Sequence, residues 1–278
     1  MAVAIKNNRV TVGGAAVDFV KSPYTGGGFA ATPKVVVMHF TYGGTAASSA
    51  QWFKSPDNPG SSAHVVVERD GTIIQCVPLD TIAWHAGKSH LRNLVGLNQF
   101  AFGIEMANWG YLKRTPDGWQ TYTQKRISDP VLAIHPYGNP DGSSQPIGWE
   151  AYPEAQVRAA ADIARALVDT FGIDEIVGHE DISRGRKWDP GPAFDLTTFR
   201  ALVFGDRADD GPSSFEVNSA EGLNLRAGAS TANEVIRLLA NGTKVEIVER
   251  QGNWALVSVL SSNGVAEING WVNAAFLK

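Results

Sequence analysis

The sequence predicts an α/β or α+β domain, in which flanking helices pack on a mixed central sheet, followed by a small all-β barrel. Three observations predict these two domains and their order along the chain. Residues 35–39 form a short apolar run, and residues 153–171 carry an apolar stripe at helical spacing. After residue 215 the pattern changes to short alternating strands, which is typical of a small barrel.

Composition excludes several classes of protein. A hydrophobic fraction of 44% and a charged fraction of 19% are ordinary for a globular protein. The net charge of -4, without a long basic run, argues against nucleic acid as the main partner. A single cysteine excludes an internal disulfide and a four-cysteine zinc site. No stretch approaches the roughly 18 to 20 consecutive apolar residues of a membrane-spanning helix, so we expect no membrane span.

The first eight residues lack the basic opening and the sustained apolar core of a signal peptide. We therefore expect a protein that stays in the cytoplasm, or one that leaves the cell by lysis or by a dedicated secretion route. Nothing in the sequence indicates an oligomeric state.

The apolar run Val35–Met38 ends in His39, and three of its four residues are β-branched. It predicts a short buried strand that delivers the histidine to a glycine-containing loop. A strand end is a stiff mount for a reacting group, because the sheet holds the backbone while the loop leaves one side open. For His39 alone, the alternative is a buried histidine bonded to a carbonyl.

Two elements follow this strand. Residues 48–53 predict a short helix whose Trp52 and Phe53 face inward. Residues 64–77 predict a hairpin, because Asp70-Gly71 lies between two β-branched runs and is a strong turn signal.

Residues 102–106 predict another buried strand, which Glu105 interrupts. A buried carboxylate needs a partner or a purpose, because desolvating it unpaired costs several kcal/mol. From residue 108 to 150 the pattern dissolves into turns, and a loop of that length in a compact domain is usually functional or disordered. Its many rings favour the functional case: Trp109, Tyr111, Trp119, Tyr122, Tyr137 and Trp149.

The helix over residues 153–171 begins at Pro153 and is stopped by Gly172, and residues 173–177 then lead back into the sheet. Residues 205–214 have the glycine-rich and charged composition of a linker. We therefore place a first domain at 1–204, with its core at about 30–200 and an aromatic-rich insertion at 108–150. The second domain is placed at 215–278.

Two histidines and an aspartate form a candidate ligand set for one catalytic zinc ion: His39, His179 and Asp189. Three protein ligands leave the fourth position of zinc free for chemistry. Pro190 and Pro192 stiffen the loop that carries Asp189. The spacing from His179 to Asp189 matches none of the short helical zinc signatures, so salt-bridged loop residues are the alternative.

Five ordered motifs carry a resemblance to a known family. They are Val35 to His39, Ser61 to Gly71, Ala83-Trp84-His85-Ala86-Gly87, Gly103-Ile104-Glu105, and Gly178 to Pro192. Together they resemble the type 2 zinc-dependent N-acetylmuramoyl-L-alanine amidases, relatives of the peptidoglycan recognition proteins. The resemblance spans about residues 30–200. The long insertion at 108–150 departs from the family pattern and leaves the finer substrate preference open.

The resemblance implies that His39, His179 and Asp189 bind zinc and that Glu105 and Lys187 form the catalytic pair. All five positions match, which disfavours a recognition protein that has lost catalysis. The implied reaction is hydrolysis of the amide between N-acetylmuramic acid and L-alanine in peptidoglycan or muropeptides. A buried salt bridge is the alternative for Glu105, and a surface lysine is the alternative for Lys187.

Four further residues are candidate contacts for the muramyl peptide: His85, Trp84, Trp109 and Asn98. A structural role is the alternative for His85. The rings of the insertion stack on sugars in the first interpretation and pin the insertion to the domain in the second.

The remaining histidines and the cysteine are expected to serve other roles. His64 is expected to pack beside the site, while His90 and His135 are expected to be solvated. Cys76 lies within a predicted strand and is interpreted as a buried thiol rather than a nucleophile.

Residues 215–278 resemble a bacterial SH3-like domain, on the segments Gly222 to Gly228 and Gly270-Trp271-Val272. Such domains are similar to modules that bind peptidoglycan peptides, although small barrels also serve as spacers. The main hypothesis is thus a zinc amidase that degrades the cell wall. The alternatives are a muramyl-peptide recognition module without turnover, a cytoplasmic amidase that recycles 1,6-anhydro-muropeptides, and, more weakly, a cysteine peptidase. The extra barrel argues against a purely cytoplasmic recycling role.

Overall fold

The computed structural model describes residues 2–205, 214–260 and 266–278. The chain forms two compact units, Met1–Gly205 and Asp206–Lys278. Residues 206–213 of the predicted linker lie outside the described part.

The first unit contains four α-helices and eighteen strands among its described residues. The helices are α1 (Ala46–Lys54), α2 (Glu154–Phe171), α3 (His179–Ile182) and α4 (Leu196–Phe204). The strands before the insertion are β1 (Val3–Lys6), β2 (Arg9–Val12), β3 (Ala15–Ala16), β4 (Asp18–Phe19), β5 (Thr25–Gly28), β6 (Val35–Phe40), β7 (Val65–Val67), β8 (Ile73–Gln75), β9 (Thr81–Ala83), β10 (His90–Leu91), β11 (Leu94–Val95) and β12 (Ala101–Met106). The remaining strands are β13 (Lys113–Thr115), β14 (Gly118–Gln120), β15 (Arg126–Ile127), β16 (Val131–Ala133), β17 (Ile147–Trp149) and β18 (Glu175–Gly178).

The central sheet has six strands in the order β18-β6-β12-β7-β8-β4. All neighbours run parallel except β7 and β8, which form the predicted antiparallel hairpin. The mixed sheet with flanking helices confirms the predicted fold class of this unit.

Alternation along the central strands separates the core from the site. Val36 and Met38 of β6 pack into the core beneath α2. Val35 and Val37 point to the other face, where they join a smaller apolar cluster. Because side chains alternate along a strand, His39 shares the face of Val35 and Val37 and points away from α2.

Helix α2 confirms the predicted helix almost residue for residue. Pro153 is its N-cap, and Gly172 ends it with φ +65° in the left-handed region, where glycine has no Cβ to clash. Ala160, Ala164 and Leu167 are buried against the sheet.

The prediction that Trp52 faces inward is wrong. Helix α1 buries Ala46, Ala50 and Phe53, which are spaced by four and three residues and so share one face. Trp52 lies about 100° around the helix from Phe53 and is 46% exposed.

The insertion at 108–150 is ordered by short strands that its pattern does not predict. Strands β13, β14 and β15 form one small sheet, and β16 and β17 form another. Each has only two or three residues, which is too short to show an alternating pattern.

The second unit is all-β, as predicted, and its described strands all pair antiparallel. Its strands are β19 (Ser214–Glu216), β20 (Leu223–Arg226), β21 (Val235–Leu239), β22 (Lys244–Gln251), β23 (Trp254–Leu260) and β24 (Ala266–Asn273). They pair in the order β19-β22-β23-β24-β20-β21 around a core that includes Leu225, Val245, Val257 and Val272. Among the described residues of both units, no helix combines the length and the apolar character needed to cross a membrane.

Candidate active site

Parallel pairing brings three of the predicted residues to one edge of the central sheet. Glu105 of β12 lies directly beside His39 of β6 in the register. Gly178 pairs with Met38 on the other side of β6, so His179, the next residue, begins α3 at the same edge. The carboxyl ends of parallel strands therefore assemble the site from segments far apart in sequence.

Three acceptor atoms meet at this edge. His39 Nδ1 lies 3.0 Å from His179 Nδ1 and 2.8 Å from Asp189 Oδ2. His179 Nδ1 lies 2.9 Å from the same carboxylate oxygen. All three residues are buried.

The other ring nitrogens determine the tautomers of both histidines. His179 Nε2 lies 3.1 Å from Ala86 O, a carbonyl that can only accept, so Nε2 carries the hydrogen. His85 Nε2 donates in the same way to Ala101 O, at 3.3 Å. His85 Nδ1 must then accept from His39 Nε2, at 3.0 Å. With its hydrogen on Nε2, each of the rings of His39 and His179 presents a lone pair at Nδ1.

The geometry fits a cation at the centre of these atoms. Two imidazole lone pairs and a carboxylate oxygen facing one another repel unless a positive charge lies between them. Burial, with His179 nearby, lowers the pKa of His39 to about 4, which disfavours a proton in that place near neutral pH. Zinc–nitrogen distances of about 2.0–2.1 Å put tetrahedral ligands about 3.3 Å apart, close to the spacings seen here. His39, His179 and Asp189 therefore form a set of residues suited to hold a metal ion.

Asp189 is held as a carboxylate in this buried place. Burial alone would raise its pKa, but the adjacent His179 and His39 hold the pKa below its usual range. An anionic oxygen among neutral imidazoles is the donor set that divalent zinc prefers.

Among the described residues, Glu105 is half-buried and places one carboxylate oxygen in the cleft without a hydrogen-bond partner. Its Oε2 makes no hydrogen bond and is shielded from solvent. Burial and the nearby Asp189 raise the pKa of Glu105 to about 8, while Lys187 opposes the rise. Lys187 forms no ion pair in the described part of the chain. Both side chains line the cleft that contains the three acceptor atoms.

The cleft is about 980 Å³ in volume, large enough for a sugar with an attached peptide. Trp84 and Trp109, both predicted to contact substrate, are among its lining residues. Four more rings, from the insertion and the loops around it, also line the cleft: Tyr42, Tyr111, Tyr122 and Trp188. Several of these rings pack on one another, so they organise the insertion as well as shape the cleft.

Asn98, also predicted to contact substrate, is not among the residues that line the cleft, and that role stays a prediction. Its Oδ1 accepts from the backbone N–H groups of His85 and Ala86, at 3.0 and 2.7 Å. Asn98 thereby holds the segment whose ring and carbonyl orient His39 and His179. His85 lines the cleft but is 9% exposed, with both ring nitrogens engaged as described above.

The other three histidines and the cysteine differ in burial. His64 is buried next to His85, and His90 is exposed, both as predicted. The prediction that His135 is solvated is wrong, because it is 1% exposed and bonded to Glu180. No pattern in the sequence around His135 indicates that it is buried. Burial raises the pKa of the Cys76 thiol to about 12, and Cys76 does not line the cleft.

We expect Gly103→Ala to destabilise the protein, because His85 occupies the space that a Cβ would need. An added Cβ would lie 2.6 Å from His85 Cγ, and the ring is held by Ala101 and His39. Overpacking of this kind costs about 1–3 kcal/mol of the free energy of unfolding. Chemical denaturation measures the effect. Gly27→Ala is the control, because its Cβ would meet nothing within 4 Å. Equal unfolding midpoints for the two variants would contradict the packing argument.

Two known protein families match parts of this chain. The model of the N-acetylmuramoyl-L-alanine amidase family matches residues 29–192, more than half of the chain. The chain belongs to this family. The model of the bacterial SH3 domain matches residues 221–278.

Curated members of the amidase family resemble the chain over its first unit. The 1,6-anhydro-N-acetylmuramyl-L-alanine amidase AmpD of Escherichia coli is 35% identical over 144 residues, which cover 51% of this chain and 58% of that protein. The N-acetylmuramoyl-L-alanine amidase AmiD of Escherichia coli is 28% identical over 169 residues, which cover 58% of this chain and 50% of that protein. The match thus spans 58% of the length of AmpD and 50% of the length of AmiD.

Among solved structures, a selenomethionine derivative of AmpD is similar, with 26% identity and a TM-score of 0.48 over 72% of this chain and 98% of that one. The complex of Escherichia coli AmiD with anhydro-N-acetylmuramic acid-L-Ala-D-γ-Glu-L-Lys shares 22% identity. Its TM-score is 0.46, and the match covers 72% of this chain and 65% of that one.

Proposed function

We propose that this protein is a zinc-dependent amidase that hydrolyses the bond between N-acetylmuramic acid and L-alanine in peptidoglycan or muropeptides. One observation carries the proposal: three buried acceptor atoms converge in a cleft beside an unpartnered carboxylate, Glu105. Family membership and the activities named for AmpD and AmiD support the choice of substrate.

His39, His179 and Asp189 would hold one zinc ion per chain. When bound, zinc supplies a Lewis acid that polarises a carbonyl and lowers the pKa of water to about 7. Glu105 takes a proton from the attacking water and delivers it to the amine nitrogen of the leaving L-alanine. Its buried position keeps the pKa of the carboxyl high enough for it to hold that proton between the two transfers.

Lys187 stabilises the negative charge that develops on the carbonyl oxygen. It lies two residues before Asp189, lines the cleft, and is near enough to Glu105 to affect the pKa of that carboxyl. An ammonium group aimed at a developing oxyanion in a dry site acts only when the charge appears, which lowers the barrier selectively.

The alternative functions have less support. A cysteine peptidase needs a reactive thiolate in the cleft, whereas Cys76 is buried outside it with a raised pKa. A recognition module without turnover would not need a partnerless buried carboxylate beside its ligand set. Recycling of 1,6-anhydro-muropeptides uses the same chemistry on a smaller substrate and is separated from wall degradation by the test below.

The bacterial SH3 domain is proposed to hold the enzyme on its polymeric substrate, acting on the cell wall after release from the cell. Strand β21 lies at the end of its sheet and exposes Val235, Ile236 and Leu238. Exposed apolar residues on an edge strand are a common feature of partner-binding surfaces.

We expect the purified protein to release peptides with free L-alanine amino termini from muropeptides. Treatment with a chelator should abolish the release, and added zinc should restore it, because the three ligand residues alone supply no Lewis acid. Mass spectrometry of the products identifies the bond cut.

Parallel reactions on intact sacculi, soluble muropeptides and 1,6-anhydro-muropeptides distinguish wall degradation from recycling. Binding of muropeptides without any new amino terminus would favour the recognition module and contradict the proposal. Activity that persists in chelator and is lost in Cys76→Ala would favour the cysteine peptidase.

A further inference from the structure

Glu180 directly follows His179 and holds the segment that carries Asp189 at two points. Its backbone N–H donates to Asp189 O at 2.8 Å. Its carboxylate Oε2 accepts from the N–H of Gly191 at 2.9 Å. The two bonds lie on either side of Pro190, so they fix the path of the backbone from which the Asp189 carboxylate reaches the histidines.

The same carboxylate oxygen accepts a third bond, from the insertion. His135 Nε2 lies 2.8 Å from Glu180 Oε2. The backbone N–H of Tyr137 donates to His135 Nδ1 at 3.1 Å, so the neutral ring carries its hydrogen on Nε2 and donates it to Glu180. His135 is 1% exposed and Glu180 is 9% exposed, so solvent does not compete for the bond.

Other contacts join the insertion to the same loop. Trp188, which precedes Asp189, donates from Nε1 to Gly138 O at 3.0 Å. The Trp149 ring packs so closely on Gly191 that an added Cβ there would lie 2.8 Å from a ring carbon. The insertion therefore touches the ligand-bearing loop on both sides of Asp189.

We infer that the insertion at 108–150 is a brace for the metal site and that His135 and Glu180 are positioning residues for Asp189. A buried carboxylate is costly, and the hydrogen bonds of this one join the insertion, through His135, to the loop that carries Asp189, through Gly191. This inference rests on the proposed function, because it takes the three acceptor atoms to hold zinc. It assigns no chemical step to either residue.

Zinc affinity of the full chain tests the brace, measured by competition with a chromophoric chelator. We expect His135→Ala and Glu180→Ala to weaken zinc binding by about 10- to 100-fold, as losses around metal ligands usually do. The double variant should lose little more than either single variant, because the two side chains act as one unit. Glu180→Gln should bind zinc more tightly than Glu180→Ala, because an amide oxygen can accept the same two hydrogen bonds.

Thr121→Val is the matched control. Thr121 is 3% exposed in the same insertion and accepts from Lys125 N at 3.1 Å, but it contacts neither Glu180 nor the Asp189 loop. Thermal unfolding of the metal-free variants separates general destabilisation from a specific loss of affinity. If Glu180→Ala does not fold, His135→Ala and Glu180→Gln decide the question.

Two results would overturn the brace. One is zinc affinity in His135→Ala equal to that of Thr121→Val. The other is a Glu180→Gln variant that binds zinc as weakly as Glu180→Ala. Zinc binding is measured without substrate, so a wild-type chain that binds zinc and cleaves no muropeptide contradicts the proposed function alone.

Discussion

Glu105→Ala should retain zinc and lose turnover by about 10²- to 10⁴-fold, the range that general acid–base groups contribute. Glu105 is not one of the three converging ligands, so removing its carboxylate leaves their geometry in place. Without it, the other carboxylate and imidazole side chains in the lining are the three proposed zinc ligands and His85, whose ring nitrogens are both engaged, so none is free to take the proton of the attacking water. The kcat on a soluble muropeptide and the zinc content of the same preparation measure the two effects.

Glu105→Gln is the companion variant, because it keeps the shape of the side chain and removes only its ability to carry a proton. We expect its kcat to fall as far as that of Glu105→Ala. Normal turnover in either variant, with zinc bound, would remove Glu105 from the mechanism. Loss of zinc in Glu105→Gln would instead make it a residue of the metal site.

His179→Ala should lose both zinc and activity, because two remaining ligands rarely hold a catalytic zinc ion. The change also removes the hydrogen bond from His179 Nε2 to Ala86 O and the packing of a buried ring, so we expect the metal-free variant to unfold at a lower denaturant concentration than the wild type. Metal analysis after dialysis, together with the muropeptide assay, measures the outcome.

His90→Ala is the control, because His90 is exposed and does not line the cleft. It should retain zinc and activity. A His179→Ala preparation that still contains about one zinc per chain would contradict the ligand assignment.

Elements that are long, or whose signals are local, can be predicted from the sequence. Helix α2 was predictable because eighteen residues repeat an apolar stripe and Gly172 ends it. The hairpin at Asp70-Gly71 was predictable because its turn chemistry is local. His39, Glu105, His179 and Asp189 were identified from strand ends and, above all, from family motifs, since their spacing alone left salt bridges open.

The contacts that hold these residues in place depend on the folded structure and cannot be predicted from local sequence. The hydrogen bonds of Asn98 and the burial of His135 do not follow from the sequence, because their partners, the His85 backbone and the Glu180 carboxylate, are 13 and 45 positions away. The short strands of the insertion also escaped prediction, because two or three residues carry no period. A sequence pattern records what is near along the chain, whereas hydrogen-bond partners around a buried site are chosen by parallel strand pairing and loop packing between distant segments.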